Sequence, residues 1–500
     1  MDAGSNGSCC VLRMVNHSDT IFALASAPGR SGVAVIRLSG SGAGAALLRL
    51  APDLNALPVP RRATRVFLFE TDSPVANHSA LKSNESRSES ESNNNDNNTP
   101  FVSLDHNESE SSPVPIDDGL AIWFPGPASF TGEDVVELHV HGGASVLDAV
   151  TTCLMTMPYM RPAEPGEYSR RAFENGKLDL TAAEAIADLV DAETTAQRRQ
   201  ALAQMGGALA ELYDGWRSQL VGALAYLEAC IDFSEEDIPV DLMMRSAATL
   251  TSLRDSIGDH LQDHGIGERI RDGFRIALTG APNVGKSSLM NALAKRDVAI
   301  VSDIAGTTRD VLEVPMDLGG YAATLIDTAG LRDTDDVIEI EGVRRARAAA
   351  KMADIQVHLV DASDLGDTTD LPDGALVVVN KIDKIANRAD TGGVVDALPL
   401  SVKTGIGLDD FVRTLTARVR QLANTRVSAS PPLTRARHRA ALEDCVAALD
   451  RARDGVAGGQ DMEMIAEDMR VAAQALGRIT GRIDVEDLLD KIFKDFCIGK

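Results

Sequence analysis

Gly280-Ala-Pro-Asn-Val-Gly-Lys286-Ser287 carries the GxxxxGK[ST] spacing of a phosphate-binding loop. Glycines let a backbone wrap a polyphosphate, and successive N–H groups and a helix N-terminus then face its negative charge. In this reading Asn283, Val284, Gly285, Lys286, Ser287 and Ser288 surround the phosphates, with the Lys286 ammonium on the terminal ones and the Ser287 hydroxyl on Mg²⁺. Further along, Asp327-Thr328-Ala329-Gly330 could hold the Mg²⁺ water shell through Asp327 and sense the γ-phosphate through the Gly330 N–H. Asn380-Lys381-Ile382-Asp383 places a carboxylate, Asp383, where it can accept from both the ring N–H and the amino group of guanine, a pair adenine lacks. Ser401-Val402-Lys403 is suited to backbone support of the base. Between the first two motifs, Gly306-Thr307-Thr308-Arg309-Asp310 offers Thr308 as a second Mg²⁺ hydroxyl.

Each motif needs a strand end to hold it, and the sequence supplies one. Phe274 to Leu278, Thr324 to Ile326, Leu376 to Val379 and Leu398 to Leu400 are short apolar runs of the kind buried in a parallel sheet, and Ser288 to Ala294 reads as a helix start. Four motifs in this order at strand ends predict a GTP-binding, Ras-like doubly wound domain. One departure matters for catalysis: Leu331 stands where Ras-type chains have a water-orienting glutamine, and leucine cannot hydrogen-bond water.

The chain has 500 residues, 44% of them apolar, enough for about three domains. Its 74 acidic and 49 basic residues give a formal charge of −25, which excludes a surface broadly attractive to nucleic acid or anionic lipid. Six scattered cysteines lack metal-ligand spacing and imply no disulfide frame. No apolar run is long enough to span a membrane, and residues 1–19 lack the pattern of an export or import signal. The expectation is therefore a cytoplasmic protein without a membrane partner, with 1–19 an unstructured leader and Met14 an alternative start.

Strand and turn signals begin near Thr20, with Ile21 to Ala25 and Val33 to Leu38 as strands. Asn and Ser make up half of residues 77–112, so that stretch is read as a disordered insertion, and its N-x-[ST] triplets as chance. From Asp134 to His141, Val136, Leu138 and Val140 alternate with Glu137, His139 and His141, putting the polar three on one strand face. With no third ligand nearby, the two histidines are read as a solvated or substrate-facing surface. Helical periodicity follows over Ala182 to Leu202 and Ala208 to Ile231, and returns over Leu433 to Arg453, Asp461 to Ile479 and Val485 to Phe496. An α/β domain flanked by helical blocks predicts one bundle with the α/β domain inserted in it. The expected segments are 20–178, 179–270, 271–424 and 425–500. Arg344, Arg345 and Arg347, and likewise Arg435, Arg437 and Arg439, are read as solvated helix faces rather than RNA contacts.

Taken together, these motifs resemble the MnmE/TrmE family of tRNA modification GTPases. The resemblance is carried by Gly29-Arg30 through Gly40, Phe124-Pro-Gly-Pro127 with Thr131 to Gly143, Arg161 to Leu180 with Asn175-Gly-Lys177, the nucleotide motifs, and the terminal Phe496-Cys497-Ile-Gly-Lys500. It implies a multidomain α/β fold with an N-terminal folate-binding domain that also dimerises, a central helical bundle and an inserted GTPase domain. It implies binding of a 5-formyl- or methylene-tetrahydrofolate at Arg37, Glu137, Lys177 and Lys500. It also implies K⁺ activation, with Asn283, Ser302, Ile304 and Thr307 matching the K⁺ site and Glu339 matching the residue that helps position water.

The activity implied is installation of an aminomethyl or carboxymethylaminomethyl group at carbon 5 of the wobble uridine in certain tRNAs, by a homodimer working with an FAD-dependent MnmG-type partner. Cys497 has two readings, a nucleophile flanked by Lys494 and Lys500 or a small buried residue in a tail. Two rivals from other classes are an assembly GTPase without one-carbon chemistry and a folate-binding module with a degenerate GTPase. The folate-type residues and Cys497 argue against the first, the intact nucleotide motifs against the second.

Overall fold

The computed structural model describes residues 19–71, 114–232, 240–263, 265–296, 298–300, 313–327, 352–363, 374–385, 397–424, 431–483, 486–494 and 496–499. Two compact units divide the chain, one of residues up to Asp179 together with those from Val485 onward, the other of Leu180–Asp484. The terminal helix expected to close the helical bundle thus groups with the N-terminal residues.

The first unit is built on a six-stranded sheet in the order β3-β4-β5-β2-β1-β6. Its strands are β1 (Thr20–Leu24), β2 (Ala34–Ser39), β3 (Thr64–Phe69), β4 (Pro115–Phe124), β5 (Val135–Val140) and β6 (Met160–Pro162). Helices α1 (Ala43–Leu50), α2 (Ala144–Met155) and α3 (Glu167–Glu174) accompany it, as does α13 (Glu486–Lys494) near the C-terminus. Ala34, Ile36 and Leu38 of β2 and Val136, Leu138 and Val140 of β5 are buried together, so the period-2 alternation sends Arg37, Glu137 and His139 to the opposite face. Arg171, on α3, is fully buried and ion-paired to Asp19, Glu133 and Glu167. Its charge is tolerable there because each nitrogen has a carboxylate partner.

The second unit joins a helical bundle to an α/β domain. In chain order it contains α4 (Leu180–Val190), α5 (Thr195–Met205), α6 (Ala208–Asp232), α7 (Val240–Leu261) and α8 (Ile266–Asp272). Then come β7 (Phe274–Thr279), α9 (Lys286–Ala294), β8 (Glu313–Asp317), β9 (Ala322–Asp327), β10 (Ile355–Asp361), β11 (Leu376–Asn380), β12 (Leu398–Pro399) and α10 (Leu408–Asn424). α11 (Ala436–Gly458) and α12 (Met462–Thr480) return to the bundle. One core joins α6, α7, α11 and α12, with Tyr213, Trp216, Leu442 and Leu476 inside it. A separate core fills the α/β domain around Phe274, Leu278, Leu289 and Phe411. The second sheet runs β12-β11-β10-β7-β9-β8, parallel except for β8, so β7, β9 and β11 end on the same edge.

Three local features differ from expectation. The helix read over Ala182 to Leu202 is two helices, because the Gln197 carboxamide turns back to accept from the Thr194 N–H at 3.0 Å and so starts α5 afresh. α9 begins at Lys286 rather than Ser288. Arg435, Arg437 and Arg439 are not a solvated face: Arg437 forks onto Glu184 at 2.6 and 2.7 Å, Arg435 meets Asp188 at 2.7 Å, and Arg439 meets Asp263 at 2.6 Å. Arg344, Arg345 and Arg347, and the insertion at 77–112, lie outside the described residues.

α5 also touches the α/β domain. The Ala196 N–H donates to Gly320 O at 2.9 Å in the turn joining β8 to β9; on neighbouring α8, Arg271 O accepts from Gln197 Nε2 at 2.9 Å and Gly267 O accepts from Gln200 Nε2 at 2.9 Å. No helix among the described residues is long and apolar enough to cross a membrane.

Burial pushes the Glu184 carboxyl upward, but Arg437 and the other surrounding cations outweigh burial and hold it well below the usual carboxylate range. Replacing that carboxylate by a neutral amide leaves Arg435 and Arg437 without their shared counter-charge. Glu184→Gln should cost about 3–5 kcal/mol of bundle stability, measured by denaturant unfolding followed at the Trp216 fluorophore; a cost below about 1 kcal/mol would show the cluster to be dispensable.

Candidate nucleotide site and a second polar cluster

Gly280 ends β7 at φ +131°, and a Cβ there would lie 2.3 Å from Leu359 O, so only glycine fits. Gly285, at φ +106°, is equally constrained, a Cβ falling 2.4 Å from Asn380 Nδ2. Between them Asn283 sits in the left-handed region at φ +61°.

A loop that presents its N–H groups to an anion must satisfy its carbonyls elsewhere. Here Asn380 Nδ2 donates to Val284 O at 2.8 Å, and Lys381 Nζ donates to Asn283 O at 2.6 Å. Because N–H and C=O point oppositely across a trans peptide, gripping these two carbonyls directs the Val284 and Gly285 amides away from the grip. Asn380 Oδ1 in turn accepts from the Val402 N–H at 3.2 Å, so one buried amide ties the phosphate loop to the Ser401-Val402-Lys403 segment.

The Lys286 ammonium is buried and donates to Gly280 O at 2.8 Å and Ala281 O at 2.9 Å. Burial lowers its pKa, with Asp327 opposing. A buried cation facing carbonyl dipoles fits a phosphate. The Ser287 hydroxyl donates to Asp327 Oδ2 at 3.1 Å, bringing together two hard oxygen donors suited to Mg²⁺. Asp383 is exposed, and the Ser401 hydroxyl donates to its Oδ1 at 2.6 Å, which holds the carboxyl below its ordinary range. Ser401 thus orients the Asp383 carboxylate through its side chain, a role the sequence reading did not give it. Thr308, Thr328, Ala329, Gly330, Glu339, Ser302, Ile304 and Thr307 lie outside the described residues.

Two further residues belong to the site. Asp361, at the end of β10, is ion-paired to Lys381 at 2.7 Å. His358 of the same strand is 3.0 Å from the Thr279 hydroxyl, and burial, then the Lys286 charge, lower its pKa. Polar residues closing the Val- and Leu-rich run 355–361 were the available signal for both.

The other polar cluster lies in the first unit. Arg37 and Glu137 are direct cross-strand partners on β2 and β5, and the guanidinium donates through Nε and Nη2 to Glu137 Oε1 at 3.0 and 2.9 Å. Its third nitrogen donates to Gly499 O at 3.4 Å, and the Tyr168 ring lies 5.7 Å away. His139 Nε2 is 3.6 Å from Glu137 Oε2 and is buried without a hydrogen-bond partner. An orphaned imidazole nitrogen beside a carboxylate and a guanidinium fits a polar heterocyclic ligand. Lys177 donates from Nζ to Pro127 O at 2.9 Å, and Lys500 lies outside the described residues. Cys497 is exposed, which sets aside its reading as a buried tail residue. Among the described residues no group of three or more His, Cys, Asp or Glu could hold a metal ion.

Residues 20–177 match the family described as GTP-binding protein TrmE N-terminus, and residues 180–497 match the MnmE helical domain. The chain belongs to the MnmE/TrmE family. Its relatives include a tRNA modification GTPase MnmE of Rhodospirillum rubrum, 50% identical over 488 residues covering 96% of this chain and 99% of that one. The protein of the same name from Paramagnetospirillum magneticum is 50% identical over 491 residues, covering 97% and 100%. Among solved structures, Aquifex aeolicus Era Y63A bound to GDP.AlF4- is 25% identical, the match covering 35% of this chain and 66% of that one, with a TM-score of 0.23.

Gly285→Ala forces a Cβ into Asn380 and strains the loop. It should weaken binding of fluorescent GDP by about 100-fold, equivalent to ~3 kcal/mol; wild-type affinity would show that the loop relaxes freely around residue 285.

Proposed function

We propose that this chain is a K⁺- and Mg²⁺-dependent GTPase acting in wobble-uridine modification of tRNA. Membership in the MnmE/TrmE family supports the tRNA modification GTPase role. The observation that carries the nucleotide part is the paired grip of Asn380 and Lys381 on consecutive carbonyls of the phosphate loop. It couples the base-reading segment to the phosphate cradle, as a guanine-nucleotide site requires.

In this reading the loop amides and Lys286 bind the phosphates, while Asp383, oriented by Ser401, selects guanine. Ser287, Thr308 and Asp327, with Thr328 to Gly330, surround Mg²⁺ and the γ-phosphate. Asn283, Ser302, Ile304 and Thr307 hold K⁺. Bound Mg²⁺ and K⁺ supply positive charge where negative charge develops on the phosphates, which replaces an arginine finger. Glu339 holds the attacking water in place, because Leu331 cannot.

The same proposal extends to one-carbon chemistry. Arg37, Glu137, Lys177 and Lys500 bind 5-formyl- or methylene-tetrahydrofolate, the carboxylate suiting pterin N–H donors and the cations the glutamate tail. The unpartnered His139 nitrogen supports a ligand at this place. Cys497 is exposed and free to act on a uridine or one-carbon adduct. The working assembly is a cytoplasmic homodimer with an FAD-dependent MnmG-type partner. It adds an aminomethyl or carboxymethylaminomethyl group at carbon 5 of the uridine.

GTP turnover by the purified protein should be at least about tenfold faster in K⁺ than in Na⁺ buffer, a difference of roughly 1.4 kcal/mol in barrier. Equal rates would remove K⁺ from the mechanism. Nucleoside analysis of tRNA from cells lacking the protein should show loss of the carbon-5-substituted wobble uridines. An unchanged profile would favour an assembly GTPase without one-carbon chemistry.

A further inference from the structure

Lys381 is held from two sides. Its ammonium donates to Asn283 O at 2.6 Å and is paired with Asp361 Oδ2 at 2.7 Å. The other carboxylate oxygen of Asp361 accepts from the Ser363 N–H at 3.0 Å and from the Ser363 hydroxyl at 2.6 Å. Asp361 is therefore fully engaged, and its position is fixed by the sheet: it is the register partner of Asn380 on neighbouring β11, and the Ala362 N–H donates to Asn380 O at 2.8 Å.

Both residues that Lys381 brings together are conformationally costly. Asn283 has φ +61° and Lys381 has φ +65°, a region that penalises any residue with a Cβ. Such backbone persists only where its surroundings over-determine it. The Asn283 carbonyl takes the Lys381 ammonium as its donor, and the flexible lysine stem does not fix its own head group. The rigid anchor must come from the strand.

We propose that Asp361 is a positioning residue for the phosphate loop: acting through the Lys381 ammonium, it fixes the left-handed backbone of Asn283 and so sets both the adjoining amide and the Asn283 side chain. The part concerning that side chain rests on the reading of Asn283 as a K⁺ ligand; the part concerning the amide does not. Burial pushes the Asp361 carboxyl upward, but the Lys381 and Ser363 hydrogen bonds outweigh it and hold the group at about 2, so the anchor stays ionised throughout the neutral range.

The test uses the full-length protein and two readouts, the release rate of a fluorescent GDP and the K⁺ concentration giving half-maximal GTP turnover. Asp361→Asn removes the charge at constant shape. It should speed GDP release by about tenfold and raise the half-maximal K⁺ concentration several-fold, in keeping with loss of one charge-assisted hydrogen bond. In a Lys381→Met background, the same substitution should change release by less than about twofold, because its route to the loop is already cut. Asp361→Glu, which keeps the charge, should release GDP more slowly than Asp361→Asn. Unchanged release in Asp361→Asn would overturn the proposal, as would an equal acceleration with Lys381 absent, which would assign Asp361 to general sheet stability. If the wild-type protein turns over equally in Na⁺ and K⁺, the K⁺ reading fails alone, and the release measurements still decide the role of Asp361.

Discussion

A phosphate cradle depends on where its carbonyls go. Amides can face an anion only if the carbonyls across the same peptides are satisfied from outside, and here one short stretch, Asn380-Lys381, accepts that task for Asn283 and Val284. Much of the α/β domain can be read as support for this contact. The β10–β11 register sets Asp361 beside Asn380, Gly285 leaves room for the Asn380 amide, and the Val402 N–H fixes that amide's orientation. The phosphate-loop motif and the Asn380-Lys381 and Ser401-Val402-Lys403 segments are thus one hydrogen-bonded unit.

The first unit solves a different problem, keeping charge close to an apolar sheet. Arg171 is buried but fully neutralised by carboxylates brought from three separate segments. Arg37 and Glu137 sit on the open face of the sheet, paired across strands, with one imidazole nitrogen left over. The first arrangement is closed and structural. The second leaves hydrogen-bonding capacity unused at His139 Nε2.

Much of this was legible in the sequence because local signals are local. The glycine spacing at 280–287, the apolar strand before it and the alternation of Val136, Leu138 and Val140 all act over a few residues, and the structure follows them. What the sequence hid depends on distant partners. Arg435 and Arg437 look like a charged helix face until Glu184 and Asp188, some 250 positions earlier, are folded against them. Asp361 is unremarked beside the more familiar motifs because its meaning lies in Lys381. The break before α5 was readable, since Thr194 followed three positions later by Gln197 is a helix-start signal; continuous alanine-rich periodicity masked it.

The β8–β9 hairpin has one end at Glu313 and Asp327 and the other at the turn whose Gly320 carbonyl holds the α5 amide. At about 3.3 Å per residue its arms reach roughly 20 Å. β9 is buried along nearly its whole length and is hydrogen-bonded to β7 on one side and β8 on the other, which holds its register. The hairpin therefore links Asp327, beside the Ser287 hydroxyl, to the first turn of α5 through a paired strand and one backbone hydrogen bond.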